Sequence, residues 1–284
     1  METRRPYLTY YAVAFLVLLA ILGAVLPSGA RSLVVQIMIF SIFAMGYDLC
    51  LGYTDQCSLG HSIFFGAGAY GAVLSILSWK LGVIPAIFMG TATGLVLGVL
   101  LGLICVRLSQ AYFVIVTAII SAVFHLLAMD MTSLTGGDDG LTFSLKPLSL
   151  GFVELDLYNQ YTGYYFILLF LAVSYLILHR IVNAPLGKIF LSIRENEKRA
   201  LFLGYNVTRY KLIAFVLSGM FAALSGALYA ITLRYTSADY FSFYWSILPI
   251  VWGLVGGLGT LAGSWTGVAL MSLFQYYVST WFTH

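Results

Sequence analysis

The stretch Asn183–Lys211, NAPLGKIFLSIRENEKRALFLGYNVTRYK, decides how the rest of this sequence is read. It lies between two apolar runs, Tyr161–Val182 and Leu212–Leu233, each long enough to cross a bilayer. It also concentrates charge, holding Lys188, Arg194, Glu195, Glu197, Lys198, Arg199, Arg209 and Lys211. Asn183 followed by Pro185 signals a helix start, because an Asn side chain caps orphan N–H groups and proline tolerates the first turn. Leu186, Ile189, Phe190 and Ile193 recur at helical spacing, as do Ala200, Leu201 and Leu203 beyond the charged middle. Gly204 with Asn206 supplies a stop. The stretch therefore reads as a short amphipathic helix on the membrane surface. Two roles suit it: seating in a groove of another protein, or resting on lipid head groups.

Composition places the flanking chain in lipid as well. Of the 284 residues, 61% are hydrophobic and 9% charged, and the mean hydropathy is +0.95. Soluble domains carry about 25% charged residues, so the expected class is an all-α polytopic membrane protein. The length suffices for eight or nine crossings of roughly 20 residues each. The net charge of +3 matters less than its distribution, and no nucleic acid partner is expected. Cys50, Cys57 and Cys105 sit in apolar runs without CxxC or Cys/His spacing. They read as small buried hydrophobes, and no metal site is expected.

Taken in order, Met1–Tyr7 is short and basic (Arg4, Arg5), and Leu8–Leu26 is the first apolar run. Ser28-Gly29-Ala30 resembles a signal-peptidase site. The run is longer than a usual signal core, and no soluble domain follows, which favours a retained first helix. Ser32–Leu51 is the second span, with Asp48 near its end, and the polar Gly52–His61 (GYTDQCSLGH) follows. Ser62–Trp79, Val83–Val106 and Ala111–Met129 are the third to fifth spans, with a re-entrant segment around Gly52–Ser75 as an open alternative. Gly90, Gly94, Gly98 and Gly102 recur at every fourth position, a smooth face for close helix packing within the chain or on a partner. Residues 130–160 form a long loop, acidic through Asp138, Asp139, Glu154 and Asp156 against the single Lys146. Ser242–Phe282 carries no charge and allows two crossings that turn at Gly256-Gly257-Leu258-Gly259.

Basic residues set the expected orientation. With the amino terminus inside, Arg4, Arg5, Arg107, Arg180 and the cations of residues 183–211 fall on the cytoplasmic side. Arg31, Lys80, Lys146, Arg234 and the acidic loop fall outside, which is the positive-inside pattern. Aromatic clusters at Tyr158–Tyr165, Tyr240–Trp245 and Tyr276–Trp281 mark the outer boundary.

Catalytic chemistry is not indicated. Leu224-Ser225-Gly226-Ala227 superficially resembles the serine motif of rhomboid proteases, but the only histidine after His179 is His284. Transport fits better. An ion-driven secondary transporter carries membrane-buried ionisable groups, and only Asp48 is a mid-segment carboxylate here, with Asp55, Gln56 and His61 near it in sequence. For Asp48 the alternative is a helix-end residue that reaches interfacial water. No lysine is followed by Ser or Thr, so the GxxxxGK[ST] phosphate cradle is missing. If ATP drives this protein, the ATPase is another chain, and residues 183–211 are the large feature able to receive it. An ion-coupled carrier or channel for a small solute remains the other class.

The loop motif Leu186-Gly187-Lys188, Ile193-Arg194-Glu195-Asn196-Glu197 and Leu203-Gly204-Tyr205-Asn206-Val207-Thr208-Arg209-Tyr210-Lys211 closely resembles the LivM-type permease subunit of branched-chain amino acid ABC importers. Three further motifs agree in order. They are Leu51-Gly52-Tyr53-Thr54 with Ser58-Leu59-Gly60-His61, Phe64-Phe65-Gly66 and Gly68-Ala69-Tyr70; Leu134-Thr135-Gly136-Gly137 with Asp139-Gly140-Leu141; and Gly256-Gly257-Leu258-Gly259-Thr260 with Gly263. The resemblance runs from about Leu33 to about Gln275 and implies one helical permease domain over residues 1–284. It implies as partners a LivH-like second permease, two cytoplasmic ABC ATPases, a solute-binding protein and membrane lipid. ATP and Mg would be used by those ATPases, with no cofactor bound by this chain. Gly187, Ile193, Arg194, Glu195, Asn196, Glu197 and Arg199 would form the element that couples to the ATPase. Asp48, Gln56, His61, Thr135, Gly136, Gly137 and Asp139 are expected along the solute path or its gates. Asp55-Gln56-Cys57 departs from the smaller or more apolar residues common in the family after Tyr53-Thr54, and relatives of the family carry urea or short amides. The implied location is the bacterial inner membrane, with residues 183–211 cytoplasmic.

Overall fold

The structure is a computed structural model that describes residues 6–145, 148–149 and 154–282, with side chains over 14–145 and 156–281. Arg4, Arg5, Lys146 and His284, which enter the reading above, lie outside the described residues. The described chain is helical almost throughout, as a lipid-embedded backbone must be to satisfy its own polar groups. The helices are α1 (Pro6–Val25), α2 (Ser28–Thr54), α3 (His61–Trp79), α4 (Val83–Cys105), α5 (Gln110–Asp130), α6 (Thr132–Thr135) and α7 (Gln160–Asn183). They continue with α8 (Pro185–Glu195), α9 (Glu197–Phe202), α10 (Val207–Leu233), α11 (Phe243–Gly256) and α12 (Leu261–Phe282). Two short antiparallel ribbons, Leu141–Thr142 (β1) with Tyr235–Thr236 (β4) and Leu148–Ser149 (β2) with Glu154–Leu155 (β3), complete it.

Among the described residues six helices, α2, α3, α4, α5, α7 and α10, are long and apolar enough to cross a membrane. α11 and α12 are bent by 108° at residues 257–260, and as one broken span they bring the number to seven. The expected glycine turn is there, with Gly257 and Gly259 at φ +104° and +76°. α11, however, has 14 residues, about 21 Å, less than the ~30 Å of a hydrocarbon core. The loops between spans sort to two ends. A basic end carries the 106–109 link, α8 and α9; an acidic end carries residues 80–82, 131–145, 156–159 and 234–242. At the acidic end Arg31 lies over the Tyr161 ring (3.8 Å) and Arg234 over Tyr158 (3.7 Å), which anchors two of the few cations there to the aromatic boundary.

α10 is the hub, packed on α2, α3 and α4. The glycine face of α4 is what allows the approach. Gly90 lies on the Gly68 carbonyl, Gly94 on Ala223, Gly98 on Val216 Cα and Gly102 on Leu212 and Phe215. The face is thus internal, turned to α3 and α10 of the same chain. Ser225 and Gly226, in the protease-like motif, are packing residues: Ser225 Oγ donates to Ile39 O (2.9 Å) and Gly226 sits on the Phe65 carbonyl. α5 is the contrast, with a broad exposed apolar side formed by Tyr112, Ile115, Ile119, Val123 and Leu126.

α2 and α3 are joined by a segment that is neither helical nor outside the bundle. α2 ends with Asp55 in the left-handed region (φ +55°), and residues 56–60 then climb back between helices. His61, first residue of α3, meets Ser218, about 16 Å along α10 from Val207. α3 itself has 19 residues and reaches the acidic end. The expected re-entry is therefore confined to residues 55–60 and leaves α3 a span.

Replacing Gly94 by Leu drives a side chain into Ala223 and the Gly219 carbonyl, and overpacking of this kind costs about 1–3 kcal/mol or more. Gly94→Leu is expected to lower the melting temperature and monodisperse yield in detergent. Val96→Leu, on the exposed side of the same helix, should leave both unchanged. Equal stability of the two would refute the packed glycine face.

Candidate functional site

At the basic end the chain leaves α7 and folds into two short helices. Asn183 does not cap the first of them. It is the last residue of α7, its Nδ2 donates to His179 O (2.7 Å), and Ala184 is the N-cap, followed by Pro185 at N1. The proline does what the sequence assigns to it; the asparagine is taken up by the preceding helix. Gly187 rests on the Val182 carbonyl, so a residue without Cβ sets how closely α8 folds back on α7.

The predicted single helix is broken at Asn196, whose backbone is extended (φ −162°, ψ 101°). Its side chain accepts from Arg199 N (2.9 Å) and so starts α9. Arg194, Glu195 and Glu197 consequently do not share one turn. Ile193, Ala200 and Val207 close a small core with Ile189 and Tyr210. Gly204 ends the unit at φ +87°, but Asn206 belongs to the next helix, accepting from Arg209 N (3.1 Å) as its cap. Leu201 and Leu203, expected on the buried stripe, are exposed, and Phe202 between them is 87% exposed. The α9 turn spends its apolar contact on Ala200 and points the next three residues outward.

Three of the charges are committed inside the chain. Glu197 pairs with Lys211 of α10 at 2.7 Å. Arg194 Nη1 donates to Gly52 O (2.6 Å) at the end of α2 and lies against Gly259. Gly259 N in turn donates to Asp48 Oδ1 (2.8 Å). Asp48 is 1% exposed, so it does not reach interfacial water, and its Oδ2 has no partner. One arginine on α8 thus holds the end of α2 and the tip of the α11–α12 bend, and one buried carboxylate joins those two to each other. Beside this node a cleft of about 330 Å³ opens, lined by Asp55, Gln56, Gln110, Arg194, Glu195 and Lys198 among others.

Gln56 and His61 continue inward. Gln56 is 6% exposed and its Oε1 accepts from Thr54 Oγ1 (3.4 Å). Tyr47 Oη donates to Ser58 O (2.8 Å) and accepts from Ser58 N (3.1 Å), and Thr117 Oγ1 accepts from Leu59 N (3.1 Å). Cys57 lies beside Tyr47 (3.9 Å). His61 is fully buried among Tyr47, Phe64 and Phe215, shares a hydrogen bond with Ser218 Oγ (2.7 Å) through Nε2, and leaves Nδ1 unpartnered.

Thr135, Gly136, Gly137 and Asp139 lie at the opposite, acidic end, far along the bundle from Asp48 and Gln56. Thr135 Oγ1 donates toward Met131 O (2.9 Å), accepts from Gly137 N (3.1 Å), and its carbonyl accepts from Tyr70 Oη (3.0 Å). Gly136, Gly137 and Gly140 all have positive φ, and Gly140 lies on the Thr236 carbonyl. The turn is pinned to α3 and to the end of α10, while Asp138 and Asp139 face outward. Sequence reasoning missed Phe202, the inward role of Arg194, and a run of polar side chains on α5. The α5 run was visible as Gln110, Thr117, Ser121 and His125 at helical spacing.

Residues 29–284 match the family described as branched-chain amino acid transport system, permease component. The chain is 27% identical over 271 residues to the high-affinity branched-chain amino acid transport system permease protein LivM of Salmonella typhimurium, a match covering 88% of this chain and 64% of that protein. The LivM protein of Escherichia coli matches to the same extent. A probable branched-chain amino acid transport permease protein LivM of Methanocaldococcus jannaschii is 24% identical over 269 residues, covering 91% of this chain and 72% of that protein. The chain thus spans 64% of the length of the first two relatives. No solved structure matches it.

The Asp48–Gly259 bond is buried, and removing one partner of such a bond costs about 1–3 kcal/mol. Asp48→Ala should therefore speed amide exchange in peptides covering residues 256–262 by roughly 10- to 100-fold. Exchange in α10 should hold steady. Unchanged exchange at 256–262 would mean the bend is held without Asp48.

Proposed function

The chain belongs to the family of branched-chain amino acid transport system permease components, and from that premise we propose that it is the membrane-spanning permease subunit of an ATP-binding-cassette importer. The solute is a branched-chain amino acid or a related small polar molecule. Its partners are a second permease, two cytoplasmic ATPases that use ATP and Mg, and a solute-binding protein. The chain itself hydrolyses nothing, having no phosphate cradle in its sequence. It lies in the bacterial inner membrane with the basic end cytoplasmic, where the positive-inside rule puts it.

The observation that carries this reading is the α8–α9 unit. It is a folded helical element beyond the last turn of α7, with a core of its own and one face committed inward. Gly187 fixes its angle, Ile193 fixes it in place, Asn196 divides it, and the Glu197–Lys211 pair ties it to α10. What it leaves for an ATPase is Glu195, Lys198 and Arg199 with the exposed Leu201-Phe202-Leu203. A protruding aromatic ringed by charges is the usual composition of an interface anchor. Arg194 then passes movement of that unit to α2 and to the α11–α12 bend. Residues 135–140, rigid and acidic at the outer end, form the rim that meets the binding protein. Closure of the ATPases on ATP would move α8–α9 and turn the pathway outward. Because coupling is reciprocal, loaded binding protein should raise ATPase turnover.

Truncating an exposed anchor leaves the fold alone and weakens the complex. Phe202→Ala and Arg199→Glu should preserve permease yield, lower co-purification of the ATPases by about tenfold, an anchor's share of about 1.4 kcal/mol or more, and abolish uptake. A helix resting on lipid predicts otherwise: full ATPase recovery and sensitivity to anionic lipid through Lys188, Lys198 and Arg199. Uptake by vesicles holding only this chain under an ion gradient would instead make it an ion-coupled carrier.

A further inference from the structure

α3 starts inside the bundle, so its first-turn N–H groups cannot be hydrated and must find partners in protein. Those at its start find hydroxyls, two from other helices and one from the link that precedes it. Leu59 N donates to Thr117 Oγ1 of α5 (3.1 Å), Gly60 N to Ser58 Oγ (3.2 Å) and Ser62 N to Ser246 Oγ of α11 (2.9 Å). Ser62 Oγ and Ser121 Oγ of α5 are 2.7 Å apart, and Ser121 Oγ donates on to Phe241 O (3.2 Å). On the first residue of the helix, His61 Nδ1 is buried without a partner.

α5 meets the rest of the chain through a polar line. From the basic end, Gln110 Nε2 donates to Asp55 O (3.0 Å), Thr117 and Ser121 make the bonds above, and His125 Nδ1 donates to Ala238 O (3.1 Å). Ring contacts of Phe113 with Phe215 and Phe124 with Phe241 supplement it. These polar residues cover about 22 Å of helix on one face, most of a bilayer's hydrocarbon. A hydrogen-bonded seam differs from an apolar one in that its partners can be exchanged. The cytoplasmic cleft reaches Gln56 and Phe113, so it ends within about one helical turn of Thr117.

Resting on the permease reading above, we propose that the buried N-terminus of α3, Leu59–Ser62, is the carboxylate subsite for a zwitterionic amino acid, uncovered when α5 parts from α3. A helix N-terminus favours an anion through its dipole and its free N–H groups, and discontinuous helices place such ends at the solute in other transporters. Thr117 and Ser246, which cap these N–H groups in the closed seam, release them to the carboxylate when the seam opens. Ser62 and Ser121 offer hydroxyl oxygens to the ammonium group, and His61 Nδ1 gains a partner. The seam between Asp55 and the acidic end carries no fixed charge, which suits a solute of zero net charge.

The test uses the complete importer in ATP-loaded proteoliposomes with radiolabelled leucine. Ser62→Cys/Ser121→Cys, in a chain with Cys50, Cys57 and Cys105 changed to Ala, places two sulfurs where the hydroxyls touch. Oxidation should lower uptake by at least about tenfold, with recovery on reduction. Equal uptake by the cross-linked and reduced forms overturns the parting of α5. Separately, Thr117→Val and Ser246→Ala remove caps that compete with the carboxylate and leave a buried N–H unsatisfied in the closed seam, so each should lower KM for leucine about tenfold, and Thr117→Ser should restore it. An unchanged or raised KM gives these residues a structural role only and overturns the subsite. A wild-type importer that moves leucine while both arms fail leaves the permease reading standing; one that moves no amino acid overturns the subsite, and the permease reading falls with it only if no related small polar solute is moved either.

Discussion

In hydrocarbon every backbone N–H and C=O must be satisfied within the protein, and an unsatisfied one costs several kcal/mol. Spanning helices meet that constraint alone. Here the chain breaks helix inside the bundle at residues 55–60 and again at the partly exposed bend 257–260, and side chains supply both breaks. Tyr47, Ser58 and Thr117 supply the first. Asp48 supplies the second, through Gly259 N. The polar residues that look out of place in an apolar sequence are therefore largely those that permit the breaks, and the breaks are where the helices lose their rigidity.

The two breaks face each other across the end of α2. Gly52 accepts from Arg194 through its carbonyl, and the Gly259 backbone is close enough that a Cβ on either residue would collide with the other's surroundings. A helix end, a broken span and an external helix thus meet at points without side chains, held by one guanidinium and one carboxylate. Packing of α4 on α10 follows the opposite logic. Its glycines give continuous close contact with nothing that could exchange. The bundle consequently has a stiff half, α2–α3–α4–α10, on which α11 stacks Trp245 against Phe65 and Trp252 against Phe40, and a softer side, α5, attached largely by hydrogen bonds.

Much of this was legible in the sequence. The α4 glycine face, the 257–260 turn and the folded character of residues 183–204 follow from spacing and residue type, because each is a local property. What was not legible depended on direction. Asn183 and Asn206 are both cap residues by type, yet each serves a helix other than the one assigned to it, since flanking helices compete for the same side chain. Arg194 and Glu195 are adjacent charges with nothing in sequence to say that one turns in and the other out. Asp48 reads equally as a helix end or a path residue until the distant Gly259 is placed beside it. The α5 line could have been found, but in a helix so apolar four polar residues are easily taken for isolated substitutions.

The asymmetry of the two halves bears on how motion would travel. A displacement of α8 acts through Arg194 on the end of α2, which is buried in the stiff half, and on the 257–260 tip, which is not. The same force therefore moves the tip further than it moves α2. α11 runs from that tip to Ser246 and Trp245, and Ser246 holds the first turn of α3. Pulling on α11 loosens that cap more readily than it shifts α4 on α10, since a single hydroxyl bond of about 1 kcal/mol yields more readily than interlocked glycine packing. On this structure the route from the basic end runs along α11 to the buried start of α3, where it ends on an exchangeable hydrogen bond, Ser62 N to Ser246 Oγ.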